Sequence, residues 1–310
     1  MEKEIVKNES EKEIKGVTEI TVLDNGNWNQ KWMNNDGTKG IFSSRISTEY
    51  QSYPEGFQRI QYNDQTTFFE IGEIQKEFNK TEKVCLIPQI LYALCKSHPT
   101  EEIIETNITL LLPAIQMQNK DQLISKLQNK EFNFKYNGKD IIASIHNVLI
   151  LPEGYVSYFS LNSTDKKGSV ALVDIGSRTV NLVVLYNGKI QKINTIPIGT
   201  YNFFSKIKDI ENGKGQRFFE EDIKRLIDEG IIKVYQKQYV EFLNNILESI
   251  KPIINLATYK VIFTGGGSIM LSEYINQLKL PNFKIHEEAI YSNIIGAMEA
   301  SKIMLKDVVA

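Results

Sequence analysis

The sequence predicts a duplicated α/β fold in which two domains, each built on a mixed sheet, face one another across a cleft. Three observations lead there. The length of 310 residues suits about two ordinary domains. Strand-like segments interleave with helical ones and with local antiparallel hairpins, the pattern of a mixed-sheet α/β architecture. The chain also echoes itself: Val22-Leu23-Asp24-Asn25-Gly26 and Val173-Asp174-Ile175-Gly176 are each an apolar strand ending in Asp-x-Gly with a second strand behind it, 150 positions apart.

Taken in order, residues 1–16 read as a disordered charged tail, because Met1 to Lys15 is mostly Glu and Lys with no hydrophobic stripe. The first domain is expected over residues 17–158. It opens with a strand at Glu19–Leu23 that ends in the turn signal Asp24-Asn25-Gly26. A polar stretch from Asn34 to Asp64 suggests loops and short strands, and Thr66–Ile71 a further strand. Val84, Ile87, Ile90, Leu91 and Leu94 place a helix over Lys83–Ser97 despite an internal proline. A strand at Asn107–Leu112 and a helix at Asp121–Gln128 follow. A hairpin joins Phe132–Tyr136 to Ile141–Leu151 through Asn137-Gly138. Glu153 is expected to open a short helix.

The second domain is expected over residues 159–296, with a small insert near 205–250. Strands are predicted at Val170–Asp174, Thr179–Tyr186 and Ile190–Ile196, and helices at Phe218–Asp228 and Tyr239–Leu256. The strand Lys260–Thr264 runs into Gly265-Gly266-Gly267, with a helix from about Ser268. Ile285 marks a last short strand. A closing helix, Tyr291–Leu305, is expected to return to the first domain over residues 297–310.

Composition narrows the function classes. A hydrophobic fraction of 42% and a charged fraction of 24% are those of a globular chain, not a disordered one. Lys and Arg number 36 against 38 Asp and Glu, a net charge of −2, which disfavours a broad basic surface for direct nucleic-acid binding. No apolar run approaches the roughly 20 residues of a membrane span, and the start does not read as a secretory signal. Cys85 and Cys95 form no CxxC or zinc pattern and fit a reducing cytosol. The expectation is a cytoplasmic protein.

The Asp-x-Gly turns carry the first chemistry. A tight turn floored by glycine lets successive backbone N–H groups converge on phosphate oxygens, and the aspartate at the strand end then lies where a hydrated Mg²⁺ can sit. Asp-Asn-Gly is equally an ordinary hairpin turn, and it is the pairing of the two copies that favours phosphate. Lys31, seven residues after Asp24, can reach back to a phosphate as a point charge or be a surface lysine. Ser177, Arg178 and Thr179 occupy the second turn, in ligand-binding or merely structural roles.

Gly265-Gly266-Gly267-Ser268 links a strand to a helix and lets a ligand lie on the backbone. It does not continue into the dinucleotide fingerprint, and no Walker-type loop is present. Glu153 can polarise an attacking water or serve as an acid in a helix first turn. Glu221 and Lys224 can contact a nucleoside or form a surface i,i+3 pair. His98, His146 and His286 are scattered, with no HExxH spacing, and there is no GxSxG elbow.

In order, these motifs resemble the actin superfamily of ATPases, over essentially the whole chain after the tail. Asp24-Asn25-Gly26-Asn27-Trp28-Asn29-Gln30-Lys31 is similar to the first phosphate motif in the Asp-x-Gly-x-x-Asn-x-Lys form of the bacterial plasmid-segregation branch, the ParM/StbA-like proteins. Leu151-Pro152-Glu153 resembles the first connecting motif, and Asp174-Ile175-Gly176-Ser177-Arg178-Thr179 the second phosphate motif. Thr264-Gly265-Gly266-Gly267-Ser268 resembles the adenosine motif, and Asn293 and Gly296 the second connecting motif. The chain departs from the family at Arg178, where small residues are usual, and at Asn181, where an acid is usual. Only 91 positions separate Asp174 from Gly265, which suggests a trimmed second-half insert.

The resemblance implies an actin-like, ribonuclease H-like duplicated fold with mixed five-stranded sheets and an interdomain nucleotide cleft. It implies ATP, with GTP as the alternative, and Mg²⁺ held by Asp24 and Asp174 through water. Glu153, Asp174 and Asp24 would be catalytic. Gly26, Asn27, Trp28, Asn29, Lys31, Gly176, Ser177, Arg178 and Thr179 would bind phosphate, and Glu221, Lys224, Gly265, Gly266, Gly267 and Ser268 adenosine. The implied function is ATP-driven assembly into head-to-tail filaments for plasmid segregation. Its implied partner is a DNA-binding adaptor at a centromere-like site, with no direct nucleic-acid or membrane contact. A monomeric kinase of this fold and a non-polymerising nucleotide-binding scaffold are the alternatives.

Overall fold

The computed structural model describes residues 18–75, 77 and 79–305. The expected tail, residues 1–16, and the last residues of the expected closing helix, 306–310, lie outside them. The first sheet contains β1 (Ile20–Asn25), β2 (Asn29–Asn34), β3 (Lys39–Ser43), β4 (Ile46–Ser47), β5 (Arg59–Tyr62), β6 (Gln65–Phe69), β7 (Ile103–Leu112), β8 (Lys130–Tyr136) and β9 (Lys139–Pro152). Its order is β3-β2-β1-β7-β9-β8-β5-β6-β4. The second sheet contains β10 (Ser169–Ile175), β11 (Val180–Tyr186), β12 (Lys189–Ile196), β13 (Lys260–Thr264) and β14 (Phe283–Ile285), ordered β12-β11-β10-β13-β14.

The duplication is visible in these orders. The run β3-β2-β1-β7-β9 repeats as β12-β11-β10-β13-β14, and in both the two outer pairings on one side are antiparallel and the two on the other parallel. The fold is the α/β one expected, but the first sheet has nine strands where five were foreseen. The cause is β9, which runs for 14 residues. Its early part also pairs with β8 through a turn in which Asn137 (φ +52°) and Gly138 (φ +88°) take the left-handed conformations of a type I′ hairpin. β8 then carries β5, β6 and β4.

Both central strands are buried on two faces. Leu23 of β1 packs with one core while Ile20 and Val22 pack with another. In β10, Ala171, Val173 and Ile175 face one core, and Val170 and Leu172 the other. Strand alternation with both faces covered explains why these strands read as near-continuous apolar runs. The aspartates at their ends are the polar interruptions.

Eight helices complete the described chain: α1 (Leu86–Ser97), α2 (Lys120–Leu127), α3 (Thr200–Asn212), α4 (Glu220–Asp228), α5 (Gln236–Ile250), α6 (Gly266–Met270), α7 (Ser272–Ile275) and α8 (Ser292–Met304). Pro88 is tolerated because it lies in the first turn of α1, where its missing N–H has no intrahelical acceptor. α5 stops at Ile250 rather than Leu256: Lys251 keeps helical geometry, but Pro252 has no N–H to continue the helical ladder. α3 is absent from the sequence reading; its buried stripe, Phe203, Phe204 and Ile207, is short and set among polar residues. Glu153 opens no helix: Gly154 takes φ +74°, and only a 3₁₀ turn at Val156–Tyr158 follows. α8 packs Ile294, Ala297 and Met298 onto Ile20, Val22 and Leu111 of the first sheet. Gly296 permits that approach, since a Cβ there would fall 1.9 Å from the Val156 carbonyl oxygen.

Candidate functional site

The C-terminal ends of the parallel strands of both sheets open onto one cavity of about 520 Å³, within the range of small-ligand sites. β1 ends in Asp24-Asn25 and β10 in Asp174-Ile175; β9 delivers Glu153, and β13 delivers Gly265. Asp24, Glu153 and Asp174 all line the cavity, although long stretches of chain separate them.

The turns need their glycines. A Cβ on Gly26 would fall 2.3 Å from the carbonyl oxygen of Asn29, and one on Gly176 3.1 Å from that of Thr179. Gly265 has φ +83°, and its Cβ would meet both the Ile175 carbonyl oxygen at 2.4 Å and Asp174 Oδ1 at 2.5 Å. Gly267 is held against Ile175 in the same way. Gly266 faces open space, so nothing in the packing demands glycine there. Backbone therefore forms much of the wall near Asp174, which leaves room for a ligand to lie close to the chain.

A network of charges joins the aspartates. Lys31, opposite Asp24 in the β1–β2 register, donates to Asp24 Oδ2 at 2.8 Å. Lys80 donates to Asp24 Oδ1 at 3.1 Å and to Glu153 Oε1. Burial would raise Asp24, but the two ammonium groups outweigh it and hold its carboxyl well below the usual range. Burial would lower Lys80, yet Glu153 and Asp24 hold its pKa above the ordinary lysine value. Glu153 is pushed up by burial, against the pull of Lys80 and with the push of Asp24 and Asp174. Its Oε2 also accepts from Asn181 Nδ2 at 3.5 Å.

Asp174 differs from Asp24. Burial raises it, and its Oδ2 accepts from Asn293 Nδ2 at 3.0 Å. Among the described residues it has no ion-pair partner at all. A buried carboxylate satisfied by an amide but not by a cation leaves charge to be neutralised. Mg²⁺, which takes one or two carboxylates and keeps several waters, suits that position. Among the described residues no group of three or more His, Cys, Asp or Glu is arranged to hold a metal directly.

At the rim, Trp28 of the first turn stacks on Phe204 of α3, ring centroids 5.1 Å apart, a contact worth about 0.5–1.5 kcal/mol beyond its area. Arg178 of the second turn lies 3.7 Å over the Tyr201 ring and reaches the Gln75 carbonyl oxygen at 3.4 Å. Asn27, Asn29, Ser177 and Thr179 also line the cavity, with Lys224 at one edge. Lys224 pairs with Asp228 at 2.6 Å, not with Glu221. Glu221 lines a neighbouring concavity beside Arg45 and Arg225. Ser268 is fully buried, gives its hydroxyl to the Thr264 carbonyl oxygen and does not line the cavity.

Several lining residues carried no signal in the sequence. Lys80 sits in a one-turn 3₁₀ helix, Lys80–Glu82, within a stretch of no clear periodicity. Thr200 and Phe204 belong to the unforeseen α3. Lys83, behind the first turn, donates to the Asn25 carbonyl oxygen at 2.8 Å; burial and the Lys80 charge bring it down to about 7.

No protein-family model matches the chain, and no curated protein matches its sequence significantly. Solved structures do match in fold. An archaeal actin homolog in complex with ADP superposes with a TM-score of 0.75 at 18% identity, covering 92% of this chain and 99% of that one. A 15-stranded ParM filament from Clostridium botulinum gives 0.72 at 18% identity, covering 92% and 99%. The filament of AlfA from the B. subtilis plasmid pLS32 gives 0.64 at 20% identity, covering 91% and 98%. The chain therefore has an actin-like fold of the ParM type. No described helix is long and apolar enough to cross a membrane.

Proposed function

We propose that this chain is an actin-like ATPase that binds ATP with Mg²⁺ in the cleft, polymerises in that state and hydrolyses the nucleotide. The observation that carries the reading is the meeting of Asp24, Glu153 and Asp174 in one cavity beneath two glycine-floored turns. The filament-forming and nucleotide-bound structures that share the fold support it.

The backbone amides of the turns at Gly26 and Gly176, with Lys31, would cradle the phosphates. Gly265 to Gly267 would carry the adenosine, with Lys224 at the edge. Asp174, with Asp24 beyond it, would hold the hydrated Mg²⁺, which when bound supplies neutralising charge to the phosphate oxygens. Glu153 would orient the attacking water and accept its proton; the rest of the site works by positioning and by fixed charge.

Filament growth requires a head-to-tail interface that does not close on itself, biased by how the two halves sit around the nucleotide. AlfA from a plasmid and the ParM filament favour plasmid segregation as the cellular task. The near-zero net charge suits a chain that reaches DNA through an adaptor and works in the cytoplasm.

Light scattering, pelleting and phosphate release with ATP, GTP, ADP and no nucleotide test the reading. Sedimentable polymer with ATP, lost as phosphate is released, is expected. Phosphate transfer to a small acceptor without assembly would instead identify a kinase, and binding without turnover a scaffold.

A further inference from the structure

Lys80 is a charged group of the site that the scheme above does not use, and it is buried. Its ammonium is buried between Asp24 Oδ1 (3.1 Å) and Glu153 Oε1, with the Leu111 carbonyl oxygen at 3.5 Å. Its backbone is fixed from outside: the Lys80 N–H donates to Gln116 Oε1 at 3.0 Å, and Asn79 caps the 3₁₀ turn through the Thr81 N–H. The four-carbon stem above that fixed backbone is the part able to move. Lys80 also lines the cavity itself.

The arrangement engages both oxygens of Glu153. One carboxylate oxygen is tied to Lys80, and the other faces Asn181 Nδ2. A carboxylate so paired is poorly placed to accept a proton from water. Asp24, Glu153 and Asp174 line the cavity together with Lys31 and Lys80, while Arg178 and the Lys224–Asp228 pair also line it. A terminal phosphate entering between these carboxylates would find the Lys80 ammonium, on its flexible stem, between Asp24 and Glu153. Phosphate oxygens compete strongly for an ammonium, because charge-assisted hydrogen bonds to a multiply charged oxyanion are the strong ones.

We propose that Lys80 reads the third phosphate: its ammonium ties Glu153 to Asp24, and the terminal phosphate of a bound nucleoside triphosphate takes over that ammonium, releasing Glu153 for the attacking water. A diphosphate does not extend to the ammonium and leaves Glu153 tied. Base and substrate are thereby linked, so the water is activated only when there is a phosphoryl group for it to attack. In the step itself, the water oxygen forms the bond to the γ-phosphorus as the bond to the β–γ bridging oxygen breaks. The leaving diphosphate keeps that electron pair, and the water proton passes to the freed Glu153. Lys80 is thus a positioning residue for Glu153 and a direct contact of the phosphate. The proposal rests on the nucleotide reading above.

The test compares binding of AMPPNP and ADP, each with Mg²⁺, by calorimetry on the full chain, with turnover measured alongside. Lys80→Met should cost about 10–100-fold in AMPPNP affinity, leave ADP affinity within about threefold, and slow phosphate release about 100-fold. Lys80→Arg should restore most of the preference for the triphosphate, which a purely structural role for this side chain would not require. Glu153→Gln guards against a misfolded Lys80→Met. With the competing carboxylate neutral, Lys80 is freer to bind phosphate, and AMPPNP affinity should rise about 3–10-fold relative to ADP. An unchanged AMPPNP-to-ADP ratio in both Lys80→Met and Glu153→Gln would overturn the assignment while leaving the nucleotide site standing. Wild-type protein that binds neither nucleotide would refute the nucleotide reading itself, before any variant is made.

Discussion

The β1–β2 and β10–β11 hairpins share one backbone and differ in charge. In both, an aspartate near the strand end faces, across the ladder, the residue seven positions on: Lys31 for Asp24 and Asn181 for Asp174. Lysine neutralises the first aspartate, whereas the second keeps an amide and no ion-pair partner among the described residues. The residue four positions on also differs, a tryptophan that stacks on Phe204 against an arginine that lies over Tyr201. Behind the first turn stands Lys83. Behind the second stands the start of α3, where the Thr200 and Tyr201 N–H groups donate to the Gly176 and Ser177 carbonyl oxygens at 3.1 and 2.9 Å. The two turns share a glycine floor, and side-chain divergence gave one aspartate a lysine and the other an amide; under the proposed function the first is a cationic clamp for phosphate and the second a place for a cation.

If that division of labour holds, the two aspartates respond differently to change. Asp174→Asn should lower Mg²⁺-dependent phosphate release about a thousandfold and abolish its response to Mg²⁺ concentration. A fully active Asp174→Asn enzyme would contradict the metal assignment. Glu153→Ala should slow phosphate release about 10²–10³-fold while ATP still binds, and so prolong any polymer; unchanged turnover would remove Glu153 from its role. Lys31→Asn makes the first hairpin like the second and should weaken triphosphate binding about 10–100-fold, with a smaller loss for ADP. Equal losses for both nucleotides would mean that Lys31 serves the fold rather than the phosphates.

Two further comparisons concern stability, read by denaturant unfolding. Gly26→Ala forces a contact near 2.3 Å with backbone, whereas Gly176→Ala asks its neighbour to yield a few tenths of an ångström. The first should cost about 2 kcal/mol or more and the second under about 1 kcal/mol. Lys83 gives the first turn a pH dependence of its own. The unfolded chain holds that proton up to about 10.5 and the folded chain sheds it near 7, so its contribution makes stability rise with pH across that window. The slope should approach about 1.4 kcal/mol per pH unit and vanish in Lys83→Met. A variant with the same slope as wild type would place the titration elsewhere.

The fold was largely legible in the sequence because its signals are local and repeated. Apolar strands ending in Asp-x-Gly, the Asn137-Gly138 turn and the strand leading into Gly265 each carry their own chemistry. What was hidden depends on tertiary neighbours. Lys80 has no motif around it, and its importance comes from two carboxylates that only folding brings near. α3 conceals a short apolar stripe among polar residues, and so the partners of Trp28 and Arg178 were hidden with it. Ser268 and Glu221 are placed off the cavity wall by their local structure. Ser268 follows the wall residue Gly267 and Glu221 lies one turn before Lys224, but the chain sends Ser268 inward and Glu221 into the adjoining concavity.

The most direct measurement is a crystal structure of the full chain with Mg²⁺ and AMPPNP. It should place the metal beside Asp174 and the phosphates under the amides of the turns at Gly26 and Gly176, with Lys80 turned from Glu153 to the terminal phosphate. Nucleotide bound elsewhere, with the two aspartates facing an empty cleft, would contradict the account.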